Sequence, residues 1–109
     1  MVSCSSYEHG FFNAYERIAS RNDIDAVIHL GDYIYEYQAG SYSNFITDRD
    51  YEPSNEILSL SDYRIRFSHY HLDPDLRYLH QQYPWINIWD DHETANDAWT
   101  DGAQNHTTL

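Results

Sequence analysis

The sequence predicts an α/β protein built from parallel strand–helix–strand units. Helical spacing over 11–21 is followed at once by the short apolar run Ala26-Val27-Ile28-His29-Leu30. A second helix–strand succession, from Asp73 to Trp89, repeats the order. Each apolar run stops at acidic residues, Gly31-Asp32 and Asp90-Asp91, where an open α/β sheet places its ligand loops.

Taken in order, Val2 runs into Cys4-Ser5-Ser6 as a first strand-like segment. Phe11, Tyr15 and Ile18, with Phe12 and Ala19 beside them, form one apolar helix face over 11–21. Ala26 to Leu30 reads as a short buried strand, stopped by Gly31-Asp32. From Gln38 to Asn55 the residues are those of a loop, long for a compact domain and therefore suggestive of function. Ser59 and Asp62 stand at capping-box spacing, with Leu60, Tyr63, Phe67 and Tyr70 as the expected apolar face of the next helix. Asp73-Pro74-Asp75 is a helix start with an N-cap aspartate and a first-turn proline, and Leu76, Leu79 and Tyr83 follow on its apolar side. Pro84 to Trp89 reads as a third strand, and Thr94 to Leu109 as a polar remainder. No internal repeat or low-complexity tract is present.

Composition narrows the function. The 109 residues carry 18 acidic and 6 basic side chains, all arginine, for a net charge of −12. That charge opposes a phosphate backbone, so nucleic acid is not an expected partner. No apolar run approaches the ~18 residues of a membrane span. The single cysteine, Cys4, forms no internal disulfide, and the first residues lack the pattern of a secretory signal. Tyr, Phe and Trp make up 17% of the chain, too much aromatic surface for a solvated tail, so a packed core is expected. The sequence leaves the oligomeric state open.

The chemistry gathers at three strand ends: Cys4 at the first, Asp32 and Tyr35 at the second, and Asp90, Asp91, His92 and Glu93 at the third. In a parallel sheet these ends share one edge. Like charges brought together there need a cation, and a thiol and a phenol among carboxylates point to a strongly polarising metal. Glu93 reads as a supporting residue that orients a neighbour, Asp90 as solvated. His29, inside the apolar run, reads as a core histidine; His69, His71 and His80 read as helix-surface residues.

Gly31-Asp32-Tyr33-Ile34-Tyr35 and Trp89-Asp90-Asp91-His92-Glu93, with Ser3-Cys4-Ser5 upstream, resemble the PhoD-type alkaline phosphatases of the calcineurin-like metallophosphoesterase superfamily. The resemblance continues through Asp62-Tyr63-Arg64, Asp73-Pro74-Asp75-Leu76 and Ala95-Asn96-Asp97-Ala98-Trp99. It implies a β-sandwich flanked by helices, of which residues 1–109 would be the N-terminal part, with further metal ligands supplied from a second half. It implies metal roles for Cys4, Asp32, Tyr35 and Asp91, with Asn96 a lesser candidate, and a catalytic role for His92. Asp32 would bridge two metals, Cys4 and Tyr35 would bind ferric iron, and Asp91 would serve a second site suited to calcium. The implied reaction is hydrolysis of small phosphate monoesters, and of some diesters, by a metal-activated hydroxide, in an exported protein. One arginine would clamp a phosphate oxygen, with Arg49 in the long loop as a candidate. Two other readings remain: a purple-acid-phosphatase-like enzyme, against which Cys4 and Asp91 argue, and a non-catalytic acidic metal binder. A serine hydrolase at Ser5 or Ser6 lacks the Gly-x-Ser-x-Gly elbow.

Overall fold

The computed structural model describes residues 1–42 and 49–104. After a 3₁₀ turn at Tyr7–His9 come α1 (Asn13–Ala19), β1 (Val27–His29), α2 (Leu60–Tyr70), α3 (Pro74–Gln82) and β2 (Trp85–Asn87). β1 and β2 pair in parallel, Val27 opposite Trp85, Ile28 opposite Ile86 and His29 opposite Asn87. On the other side of β1, Val2 forms a parallel bridge with His29, its N–H donating to Ile28 O at 2.9 Å. β1 is therefore central. The three strand ends lie side by side, as the sequence implies.

The helices cover one face of this sheet, with α1 packed on α3. Val27 and His29 are buried there, while Ile28, Leu30, Ile86 and Ile88 face the other way and are exposed. The expectation of a buried strand holds at Val27 and His29 and fails at Ile28: among the described residues only the alternate positions of β1 are covered.

Helix α2 starts at the expected capping box. Ser59 Oγ accepts from Asp62 N at 3.2 Å and Asp62 Oδ2 accepts from Ser59 N at 3.0 Å. Its inward face is the expected one at Tyr70 and, in part, Tyr63, but not at Leu60 and Phe67. Leu60 is 65% exposed and Phe67 39%, whereas Arg66 and Tyr70 are fully buried. The reason lies in the loops that α2 covers, which bond to each other at Glu36 O and Ser54 O and turn other carbonyls toward the helix. The Arg66 guanidinium donates to Tyr35 O, Tyr37 O, Glu52 O, Pro53 O and Asn55 O. A buried carbonyl must find a donor, and here one side chain supplies five contacts.

α3 begins as its sequence dictates, with Asp73 Oδ1 accepting from Asp75 N and Leu76 N at 2.9 and 3.0 Å and Pro74 at the first turn. Leu76 and Leu79 are fully buried. In α1, Tyr15 and Ala19 are buried but Phe11 is 61% exposed, so the inward face begins after it. The long loop contains no helix or strand among its described residues, and residues 43–48 lie outside them. Buried Glu8 pins it by accepting from Gly40 N, Tyr42 N and Tyr51 N. The core is rich in tyrosine: Tyr7, Tyr15, Tyr33, Tyr35, Tyr51 and Tyr70 pack with Leu76, Leu79, Ile34 and Ile57. No described helix is long and apolar enough to cross a membrane.

Candidate metal centre

Each strand end turns sharply. Gly31 has φ +106°, and a Cβ there would lie 2.4 Å from Asp90 N and 2.5 Å from Asp90 Cβ, so only glycine lets the ends of β1 and β2 approach. Cys4 and Asp32 adopt φ +59° and +55°, a left-handed conformation uncommon outside glycine and associated with functional sites. Cys4 N donates to Gly31 O and Ser5 N to Asp32 O, locking the first turn onto the second. Glu93 locks the third: its carboxylate accepts from Asp32 N at 3.1 Å, Tyr33 N at 2.5 Å and Asp90 N at 2.8 Å. It has the supporting place that the sequence suggests.

These turns bring ligand atoms of Asp32, Asp91 and His92 within 4.8 Å of one another. Cys4 Sγ adds a contact to Asp32 Oδ2 at 3.5 Å. The other carboxylate oxygen, Asp32 Oδ1, is buried with no hydrogen-bond partner among the described residues. Among the described residues no arginine pairs with Asp32 or Asp91, and the chain has no lysine. Burial, with Asp90 and Asp91 nearby, pushes the Asp32 carboxyl above its usual range, against the opposing effects of His92 and the Cys4 thiol. Burial also acts upward on Asp91, but N–H donors from Asp97 and His92, and the His92 ring, outweigh it and hold this carboxyl low. An unpartnered buried oxygen beside a second, ionised carboxylate is a donor set that fits a cation.

Tyr35 is buried with its ring 4.3 Å from that of His92. Burial, then Asp32 and Cys4, pushes its phenol well above the ordinary value, so the phenolate needs a strong Lewis acid. His92 is buried, and its Nδ1 lies 2.8 Å from Glu36 Oε2. A carboxylate only accepts, so the proton sits on Nδ1 and Nε2 is left for a ligand. Glu36 Oε1 also accepts from Asn96 N at 2.6 Å, and the Asn96 side-chain amide donates to Gln104 Oε1. Asn96 thus flanks the cluster by its backbone, with its amide turned to Gln104. Beside Cys4 and Tyr35 opens a cavity of about 480 Å³ whose wall includes Phe11, Phe12 and Tyr15.

Two expectations are corrected. Arg49 is no free phosphate clamp. It is 5% exposed, donates to Asp73 Oδ2 and Tyr7 O at 2.9 Å, and lies over the Tyr7 ring at 3.8 Å, because the N-cap aspartate of α3 needs a cation in the core. Nor are His69, His71 and His80 simple surface residues. His69 packs on Tyr7 and bonds Asp50 O, while His71 and His80 both reach the Tyr33 hydroxyl. His29 is a satisfied core histidine, with Ser5 Oγ at 3.1 Å and Gly31 N donating to its Nδ1 at 3.2 Å. Sequence reasoning passed over Glu36, whose only signal is an acid four residues beyond Asp32 on a run of buried neighbours.

Both the fold and the sequence match known proteins. The chain is 43% identical over 96 residues to a protein named alkaline phosphatase D from Bacillus subtilis (strain 168), covering 88% of this chain and 16% of that one. A solved structure titled "Structure of PhoD" superposes with a TM-score of 0.80 at 44% identity, covering 88% of this chain and 18% of its own. The chain therefore spans less than a fifth of the length of either relative. The family described as PhoD-like phosphatase matches residues 1–109, and the chain belongs to that family.

Proposed function

We propose that this chain carries part of the metal site of a phosphoric ester hydrolase acting on small phosphate esters. The observation that supports it is the convergence of Asp32, Asp91 and His92 within 4.8 Å around an Asp32 oxygen that has no partner. Asp32 would hold a cation at the junction, with the Cys4 thiol and Tyr35 phenol beside it suited to ferric iron. Asp91, an oxygen donor held ionised by amide N–H groups, suits calcium. Bound there, such ions supply Lewis acidity toward a phosphate ester. His92 presents Nε2, with Glu36 fixing the Nδ1 proton, and would steady a phosphate oxygen or carry a proton to the leaving oxygen. The cavity beside Cys4 has room for the organic part of a monoester or diester. The deep net negative charge disfavours polyanionic substrates.

Ferric iron added to the 109-residue chain tests this. A thiolate or phenolate on ferric iron absorbs visible light, so a coloured complex is expected. Asp32→Asn should weaken its formation at least tenfold, and Cys4→Ala should shift or bleach the band. A colourless mixture, or an Asp32→Asn variant with undiminished affinity and colour, refutes the reading.

A further inference from the structure

A second cluster, outside the metal centre, joins both long helices to the loop that carries Asp32. The Tyr33 hydroxyl lies 2.8 Å from His71 Nε2 and 2.8 Å from His80 Nε2. The two imidazoles are 5.0 Å apart and nearly perpendicular. His80 stacks on Trp85 at 4.0 Å, and Tyr33 stacks on Phe67 at 4.9 Å. A phenol has one proton. It donates to one neutral imidazole and accepts from the N–H of the other, so both contacts are satisfied only while both rings are neutral. Tyr33 directly follows Asp32, and the two backbone N–H groups share the Glu93 carboxylate.

We propose that His71, Tyr33 and His80 form an acid-released latch: while both imidazoles are neutral, the Tyr33 hydroxyl ties the end of α2 and the last turns of α3 to the loop bearing Asp32, and protonation of the rings lets that loop open. A proton added to the accepting imidazole turns it into a second donor against the same oxygen and leaves the phenol proton unpaired. It also buries a charge that water would otherwise solvate. The titratable groups facing the trio are His29 from β1, its ring 5.1 Å from that of Tyr33, Tyr70 from α2, its ring 6.3 Å away, and Tyr15 from α1. Glu93 acts on His29. Among the described residues no carboxylate is hydrogen-bonded to His71 or His80.

The direction of the pH effect follows from linkage. Burial, then His71 and His29, pushes the His80 imidazole down to about 4, and burial lowers His71. An opened loop returns each ring to water and to its ordinary value near 6.5. The latch is therefore fully closed above about pH 6.5 and is lost as pH falls from there toward 4. Between pH 7.5 and pH 5, His80 alone should favour opening by roughly 30-fold.

Amide hydrogen exchange on the 109-residue chain without added metal reads this directly and does not depend on the phosphatase reading. Protection factors at Asp32 and Tyr33 N–H are expected to fall tenfold or more between pH 7.5 and pH 5. They should stay level in a His71→Gln/His80→Gln variant, and should still fall in His69→Gln, whose ring bonds Asp50 O instead. Level protection in the native chain, or an undiminished fall in the double variant, overturns the latch. If the double variant does not fold, His80→Gln alone decides: a smaller fall in protection than in the native chain supports the latch, and an undiminished fall overturns it.

Discussion

At Asp32 the demands of folding and of the site are opposed. Its carboxyl is buried with one oxygen unpartnered, beside a thiol and near Asp90 and Asp91, and its pKa is raised. A raised carboxyl binds protons more readily folded than unfolded. Its contribution is favourable below about pH 3.8 and becomes a loss as pH climbs through the folded value. Without metal, then, Asp32→Asn should raise stability at pH 7 and change it little at pH 3. Asparagine also accepts the +55° φ of this position with ease. Urea unfolding at the two pH values checks this, with an equal or lower midpoint at pH 7 as the contrary result. Added cation should invert the ranking, since only the native carboxylate gains from it. Much of this centre was legible in the sequence, because Asp32, Asp91 and His92 sit at fixed offsets from strand ends. The left-handed turns at Cys4 and Asp32 were not legible, since neither residue type demands that conformation. Nor was the Glu36 contact to His92, which joins residues 56 apart in the chain.

Helix starts were read correctly where a local device writes them. The Ser59–Asp62 box and the Asp73-Pro74 start each act within four residues, and both stand in the structure. Inward faces were read less well. Periodicity assigned Leu60 and Phe67 to the core, but the loops over 35–37 and 52–55 need donors more than they need apolar cover, and Arg66 takes the inward place. Arg49 follows the same logic beneath Asp73. These arginines carry structural weight that charge counting assigns to the surface. Replacing Arg66 by Leu should cost about 3 kcal/mol or more, since it strands several buried carbonyls. Lysine should rescue little of this, having three donors on a point charge in place of a planar fork. Denaturant midpoints for Arg66→Leu and Arg66→Lys measure it, and a loss below about 1 kcal/mol in either would show that water replaces the guanidinium.

Taken as a whole, the molecule has one finished face and one open one. Helices α1 and α3 cover Val27, His29 and the tyrosine-rich core. On the other side Ile28, Leu30, Ile86, Ile88 and Trp89 are 40–77% exposed along two adjacent parallel strands. The run at 26–30 reads as a buried strand, yet only its alternate positions are covered among the described residues. Among the described residues the helices cover one face of the sheet. Parallel β-branched strands with bare apolar faces pair with their like when nothing else lies against them. The isolated chain should accordingly self-associate with rising concentration, despite a net charge of −12 that opposes it and is screened by salt. Sedimentation velocity should show growing average mass with both concentration and ionic strength. Ile86→Thr with Ile88→Thr should restore the monomer, because threonine keeps the strand preference and removes apolar area. The helix-covered side and the Asp32–Asp91–His92 cluster should be untouched by that change. A variant still associating as strongly as the native chain would place the contact elsewhere, on the sheet edge beyond Val2 or β2.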